Sequence, residues 1–226
     1  MEKVGTIREI WIYPVKSMRG ISVDSAEMYW YGLLGDRRYA YVRSSDHSSF
    51  PWLTGRDVPQ IVQYQPRFLN DTKRRTSEIE VTTPQGKQYT MSSSLLRQEI
   101  ATQHGQPIHL MHLNRQAFDA APVSILSTAT MQHLASTHGS DLDQRRFRIN
   151  IIIDADDGTP FVEDGWADRS LTFGERANSA VILPFRPIKR CSMVNIHPDS
   201  AERDTSVLKA VNKISDNCFG VYCWPR

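Results

Sequence analysis

The sequence predicts a β-rich mixed α+β fold built mainly from short strands. Runs of β-branched and aromatic residues recur along the chain, proline or glycine ends many of them, and only three segments carry helix boundary signals. The length of 226 residues suits one large domain or two small ones. Barrel closure is the simplest way to hide the edges of so many strands.

Strand-like segments cover most of the chain. The first, residues 4–13, stops at Pro14, which cannot continue a strand ladder. The Pro-Gln-Gly sequence at 84–86 is a turn signal and predicts a hairpin over residues 77–91. The other predicted strands are residues 21–30, 37–43, 60–68, 147–154, 169–173, 179–185 and 218–224.

Three segments carry helix signals. The first two follow a serine that can cap the amino terminus, and they stop at a glycine suited to the left-handed end of a helix. The third repeats apolar residues at helical spacing. The predicted helices are SLLRQEIATQH before Gly105, TATMQHLASTH before Gly139, and residues 204–214.

Composition and charge exclude several classes of protein. A formal net charge of +2 argues against a dedicated binder of nucleic acid or of an anionic membrane. The basic run at residues 73–75 fits a solvated loop, and no nucleic-acid-binding signature accompanies it. The amino terminus lacks an apolar signal-peptide region, and the longest uncharged run, residues 120–140, is too polar for a membrane helix. With only three cysteines, we expect a cytoplasmic protein without a membrane partner.

Several features favour an anionic ligand. Arginine outnumbers lysine 20 to 7, and its planar fork of donors binds phosphate bidentately, although a GC-rich genome would produce the same bias. Polar side chains also lie at the ends of several predicted strands. Together they could converge on a phosphorylated ligand at the rim of a barrel, although an ordinary exposed turn explains any one of them alone. The groups at strand ends are Lys16, Ser17, Arg37, Arg148 and Asn150.

Cys191 is the cysteine best placed for chemistry. Lys189 and Arg190 precede it, and two neighbouring cations favour the thiolate form, which is the nucleophile and the metal ligand. Cys218 and Cys223 lie among apolar and aromatic residues, where we expect buried, inert thiols. The seven histidines show none of the spacings typical of zinc sites, so no zinc is expected.

A series of motifs occurs in order along the chain. The first half contains IYPVKSMRGISVDSAEM, GLLGDRRYAYV and FPWLTGRDVPQIV, and the second half PVSILS, FRINIII, FVEDGWADRSLTFG, KRCSMVNIHPDS and FGVY. Together they resemble the MOSC superfamily, the carboxy-terminal domain of molybdenum cofactor sulfurases, in the branch of the mitochondrial amidoxime-reducing component and its bacterial relatives. The resemblance implies a MOSC amino-terminal β-barrel segment at residues 1–115, packed without a flexible linker on a MOSC-type β-barrel core domain at residues 116–226, with a few short helices.

The resemblance also implies a cofactor and a set of site residues. The cofactor is the molybdenum cofactor, a molybdopterin that holds a molybdenum ion, and Cys191 is the ligand that the protein gives to the metal. A thiolate is the soft ligand that such a metal prefers. Asp119 matches an acid on the substrate side and is, with Cys191, a catalytic candidate. The residues that match cofactor-binding positions are Lys16, Ser17, Arg37, Arg148, Asn150 and Arg190.

The activity implied by the resemblance is the reduction of small N-hydroxylated substrates by cleavage of the N–O bond. Three cysteines cannot hold a plant-type iron–sulfur cluster, and no dinucleotide-binding fingerprint occurs. Electrons must then come from a separate protein, a ferredoxin, a cytochrome or a flavin reductase. Two alternatives stay open: a non-redox carrier of sulfur or of the cofactor on Cys191, and a barrel that has lost the cofactor.

Three departures from the family's pattern bear on these expectations. Ala120 and Ala121 stand where close relatives have hydroxyl residues, so hydrogen bonds from that loop to a cofactor must come from the backbone. The segment 195–198 reads Asn-Ile-His-Pro in place of Thr-x-Asp-Pro. The sequence ends at Arg226, before the closing strand common in the family, which leaves full barrel closure open.

Overall fold

The computed structural model describes residues 2–226 and confirms the β-rich α+β class. Its helices are α1 (Ser94–His104), α2 (Thr128–His138) and α3 (Thr205–Ser215). Its strands are β1 (Gly5–Ile12), β2 (Ile21–Val23), β3 (Met28–Tyr29), β4 (Gly32–Leu33), β5 (Tyr39–Arg43), β6 (Gln65–Phe68), β7 (Ile79–Thr82), β8 (Gln88–Thr90), β9 (Ile108–His112), β10 (Val123–Ser127), β11 (Ile151–Ala155), β12 (Leu171–Thr172), β13 (Val181–Lys189) and β14 (Cys218–Pro225).

The largest sheet joins the two ends of the chain. Its seven strands lie in the order β12-β13-β14-β10-β11-β1-β2, with β12 and β2 as its outer strands. β10 and β11 are parallel, and the other neighbours are antiparallel. Smaller sheets pair β3 with β4, β5 with β9, and β6, β7 and β8 with one another. Because β1 and β2 join strands of the second half, the domain boundary between residues 115 and 116 stays a prediction.

Buried apolar side chains form three clusters. The first consists mainly of residues from the first half, with Ile196 and Ala201 added from the second. The second surrounds α2 and α3, and the third covers one part of the seven-stranded sheet. Cys223 belongs to the third cluster and is fully buried, and burial raises the pKa of its thiol, as expected for an inert cysteine; Cys218 is only half-buried.

The three predicted helices are confirmed, because their boundaries are set locally. The N-cap residues Ser93, Ser127 and Asp204 each accept a hydrogen bond from a backbone N–H of the first turn. The first two helices end at glycines with positive φ, 78° at Gly105 and 85° at Gly139. Within residues 2–226, none of the helices combines the length and apolar character that crossing a membrane would require.

Three predicted strands are wrong in part. Residues 59–63 form a 3-10 helix rather than a strand. Two consecutive residues in it, Ile61 and Val62, are both buried, whereas consecutive residues of a strand face opposite sides of the sheet. The strand predicted from residue 147 begins only at Ile151, because Arg148 adopts a left-handed φ of 53°. The strand predicted over residues 21–30 is broken into β2 and β3.

Asp199 connects the segment after β13 to other parts of the chain through hydrogen bonds. Its carboxylate accepts hydrogen bonds from Arg145 Nη2 at 2.5 Å and from Arg19, and its carbonyl oxygen accepts one from Gln63 Nε2 at 2.6 Å. The hydrogen bonds from Arg145 hold the pKa of Asp199 below its ordinary value of 3.8. A carboxylate with a depressed folded pKa stabilises the protein above its unfolded pKa and loses that effect as the pH falls.

Replacing Asp199 with asparagine is expected to lower the free energy of unfolding at pH 7 by about 0.5–1 kcal/mol, because the carboxylate is partly exposed to water. Thermal melts at pH 7 and pH 3 measure the effect. The difference from the wild type should close as the pH falls below about 4, while Asp141→Asn, a change at an exposed aspartate, should follow the wild type at both values. A difference that persists unchanged at pH 3 would contradict the assignment.

Candidate functional site

A cleft of about 630 Å³ brings together residues that are far apart in the sequence. Its walls come from the turn after β1, the loop after β5, the loop before β10 and the end of β13. Seven of the eight predicted site residues line it: Lys16, Ser17, Arg37, Asp119, Arg148, Arg190 and Cys191. The eighth, Asn150, lies beneath the cleft and is 1% exposed. Their roles stay predictions, but the structure gathers them at one place.

The lining of the cleft is strongly basic. One acidic side chain, Asp119, is found among the lining residues that the structure describes. A concentration of positive charge inside a cavity attracts anions and favours phosphate over neutral ligands. The basic lining residues are Lys16, Arg37, Arg56, Arg146, Arg148, Arg186, Lys189 and Arg190.

Cys191 is exposed and lies two residues after Lys189, the last residue of β13. Arg190, immediately before it, donates from Nη1 to the carbonyl oxygen of Phe147 at 2.8 Å and from Nε to that of Phe219 at 2.8 Å. Burial lowers the pKa of Arg190 to about 10. Arg190 therefore anchors the end of β13 and so fixes the place of the accessible thiol.

Three non-glycine residues of the cleft have left-handed backbones. The φ angles are 68° at Ser17, 45° at Arg37 and 53° at Arg148. Such conformations cost on the order of 1 kcal/mol or more each, and they persist where the surrounding structure imposes them, often at functional sites. No local sequence signal predicts positive φ at a serine or an arginine, so this feature could not be predicted from the sequence.

Lys16 and Asp119 form an ion pair on the wall of the cleft. Lys16 Nζ donates to Asp119 Oδ1 at 2.5 Å and to the carbonyl oxygen of Ala117 at 2.8 Å. Burial lowers the pKa of Lys16, although Asp119 acts in the opposite direction. Desolvation on the cleft wall would by itself raise the pKa of Asp119, whose side chain is still more than half exposed, but Lys16, Arg37 and Arg148 bring it below its ordinary value. Asp119 is thus a carboxylate at neutral pH.

Buried donors without partners indicate what the cleft could hold. Among the lining residues that the structure describes, Arg146 Nε and Arg148 Nη2 are buried and have no hydrogen-bond partner. Burial lowers the pKa of Arg148 to about 10, and its guanidinium lies 4.3 Å from the centre of the Tyr13 ring. An unpaired buried donor is costly, and both arginines line the cleft, so an oxyanion bound there would be a suitable acceptor after a small shift of these side chains. The residues present therefore fit a phosphorylated group that also offers a metal to the Cys191 thiol.

Sequence reasoning missed several lining residues. Arg56, Arg186, Phe50 and Tyr222 all line the cleft. Arg56 is exposed and its guanidinium lies 5.4 Å from the Phe50 ring centre. No local pattern separates a cleft arginine from one on any other surface, whereas the position of Arg56 within the FPWLTGRDVPQIV motif was a usable signal.

Comparison with known proteins finds relatives along most of the chain. Mitochondrial amidoxime-reducing component 1 of Mus musculus is 24% identical over 90% of this chain and 69% of that protein. Molybdenum cofactor sulfurase of Drosophila mojavensis is 25% identical over 95% of this chain and 31% of that protein. Mitochondrial amidoxime reducing component 2 of Bos taurus is 39% identical over 31% of this chain and 21% of that protein. The chain thus spans between about a fifth and about two thirds of these relatives.

A solved structure also matches, the YUAD protein from Bacillus subtilis. It is 11% identical, with a TM-score of 0.48, over 99% of this chain and 88% of that chain. A superposition at that score says nothing about function.

Two family models match the chain. The MOSC domain matches residues 102–226, and the MOSC N-terminal beta barrel domain matches residues 4–147. Each match covers more than half of the 226 residues, and together they reach from the first strand to the last. The chain belongs to the MOSC family.

Proposed function

We propose that the chain binds the molybdenum cofactor in its cleft and reduces small N-hydroxylated substrates. The observation that carries the proposal is one accessible thiol, Cys191, in a cleft lined by eight basic side chains. The names of the relatives, amidoxime-reducing components and a molybdenum cofactor sulfurase, support the same cofactor and substrate class. The unpaired buried nitrogens of Arg146 and Arg148 support a phosphorylated ligand.

Each residue then has a distinct task. Cys191 would supply a thiolate to the metal that the cofactor brings. Arg190 fixes the strand end before Cys191, and Asn150 acts from below the cleft. The residues that would hold the phosphate and pterin are Lys16, Ser17, Arg37 and Arg148.

The proposed reaction consumes two electrons and two protons, breaks the N–O bond and releases the oxygen as water. The bound cofactor would supply the two-electron reduction, while the protein orients the substrate and delivers protons. Lys16 Nζ is a suited proton donor, because its pKa is lowered and it lies on the cleft wall. Asp119, ionised at neutral pH, would hold the ammonium of Lys16 in place rather than act as the acid itself.

The proposal also includes a partner and a compartment. The electrons would come from a separate ferredoxin, cytochrome or flavin reductase. All three cysteines are free thiols, which favours the reducing cytoplasm.

One preparation tests the proposal. The chain is produced in a host that makes the cofactor, and its molybdenum and tungsten content, the fluorescence of the oxidised pterin and the turnover of an amidoxime with a reduced viologen are measured. Metal and turnover together support the reductase, and the same chain from a host that cannot make the cofactor should show neither. A preparation without metal or pterin from the competent host would overturn the proposal.

A non-redox carrier is the second candidate, and the exposure of Cys191 favours it, because a thiol that delivers sulfur must reach a partner enzyme. Metal without turnover, or a mass increase of one sulfur atom on Cys191, would support the carrier.

A further inference from the structure

Asp36 is an aspartate buried beneath the cleft, with no exposed surface; burial raises the pKa of its carboxyl group, and the charge of Arg37 acts in the opposite direction. Its Oδ1 accepts hydrogen bonds from the backbone N–H of Tyr13 at 2.7 Å and from Asn150 Nδ2 at 3.3 Å. Its Oδ2 accepts one from Arg37 Nη1 at 2.5 Å. A buried charge is tolerated only when it is paired and hydrogen-bonded, and here the three donors come from three separate segments of the chain.

The residues that donate to Asp36 also contact Arg37 and Arg148, the arginines of the cleft floor. Arg37 Nη1 also lies 3.4 Å from Asn150 Oδ1, and Arg37 Nη2 donates to the carbonyl oxygen of Arg148 at 3.2 Å. The Tyr13 ring supports the Arg148 guanidinium from below. Arg37 and Arg148 are also two of the three residues with left-handed backbones. The carboxylate of Asp36 is therefore the common acceptor of a network that fixes the basic floor of the cleft.

We propose that Asp36 is a positioning residue, a buried counter-ion that holds Arg37, directly and through Asn150, where the cleft meets an anionic ligand. The inference rests on the proposed function, since it concerns the same cofactor site. The inference predicts the opposite effect on anion binding from the one expected from the change in net charge alone. If nothing moved, neutralising a carboxylate beneath a basic cleft would strengthen the binding of an anion. If Asp36 positions Arg37, the same change weakens binding.

The test uses Asp36→Asn in the full chain. Apo protein is titrated with inorganic pyrophosphate by calorimetry, well below the melting temperature, and molybdenum content is measured on protein from the competent host. We expect affinity for pyrophosphate and molybdenum content each to fall about tenfold or more, in protein that circular dichroism shows to be folded. The melting temperature should fall by roughly 5–15 °C, because Arg37 loses its buried partner.

Two further variants keep the test decisive if Asp36→Asn does not fold. Asp36→Glu retains the negative charge but moves it by one methylene. If Asp36 positions Arg37, this variant binds pyrophosphate more weakly than the wild type. If Asp36 acts only through its charge, the affinity for pyrophosphate does not change. Ser124→Ala removes the hydrogen bonds that Ser124 Oγ donates to Asn150 Oδ1 at 3.1 Å and accepts from the backbone N–H of Asn150 at 3.0 Å, and it should weaken binding roughly threefold. Because Ser124 also lines the cleft, this loss supports the inference only together with that of Asp36→Glu. Asp24→Asn, at an exposed position after β2, is the control for the change in net charge.

The outcomes separate the inference from the proposed function. If Asp36→Asn or Asp36→Glu binds pyrophosphate as tightly as the wild type, or more tightly, the inference is overturned while a wild type loaded with molybdenum still supports the cofactor site. If the wild type binds neither pyrophosphate nor molybdenum, the proposed function falls, and the role of Asp36 falls with it.

Discussion

Replacing Cys191 with serine is expected to abolish metal retention, with molybdenum content falling below about a twentieth of the wild-type value. A serine hydroxyl stays protonated at neutral pH, so it is a much weaker ligand than the thiolate that it replaces. Cys191 is exposed, so the melting temperature of the apo protein should change by no more than about 2 °C. Elemental analysis of protein purified from the cofactor-competent host measures the effect.

Cys218→Ser is the matched control, because it makes the same chemical change at a half-buried thiol outside the cleft lining. It should keep most of the wild-type metal content. Equal loss of metal in both variants would falsify the assignment of Cys191 as the ligand, and so would full metal content in Cys191→Ser.

Replacing Lys16 with methionine is expected to move stability and cofactor binding in opposite directions. Molybdenum content should fall at least tenfold, because a charge-assisted contact to the anionic cofactor is lost. The free energy of unfolding should rise by roughly 0.5–1 kcal/mol, since burial disfavours the ammonium and Asp119 is 57% exposed and can be solvated without it. Denaturant titration and elemental analysis of the same preparation measure both effects.

The pH dependence of the same variant gives a second check. The folded pKa of Lys16 lies below its ordinary 10.5, so the unfolded chain binds more protons between the two values and stability rises with pH across that interval. In Lys16→Met this rise of the free energy of unfolding with pH should be absent. Lys87→Met, at an exposed lysine of the β7–β8 hairpin, should keep both the slope and the metal content. A Lys16→Met variant that is less stable than the wild type and fully loaded would contradict the role given to this lysine.

The sequence was informative wherever structure is decided locally. Ser127 and Gly139 bound α2 because a side-chain cap and a left-handed glycine act within one helical turn. The hairpin of β7 and β8 was predicted from its turn for the same reason, and Gly86 has a φ of 82°. Residues 147–150 were misassigned because Arg148 takes its conformation from distant contacts, such as the hydrogen bond from its Nη1 to the carbonyl oxygen of Met18 at 2.5 Å.

The candidate site followed mainly from the ordered motifs. Lys16 and Cys191 share a cleft only because β1 lies beside β11 and because β13 and β14 join the same sheet, and neither pairing has a local signal. Asp36 stands next to Arg37 in the sequence, yet nothing there distinguishes a fully buried aspartate from one in an exposed turn. Burial of a charge is a property of the assembled fold.

The pairing of β1 with β11 has a consequence for biosynthesis. Ile7 lies opposite Ile153, and the neighbouring Arg8 and Asp154 are 146 positions apart. At roughly 5–20 residues per second, the ribosome needs roughly 7–30 s to deliver the partner of the first strand. During that time the edge of β1 that pairs with β11 has no hydrogen-bonding partner strand, and an unpaired edge is a target for chaperones and for aggregation. A ligand that contacts both Lys16 and Cys191 can bind only after the ribosome has delivered the 175 positions that separate them.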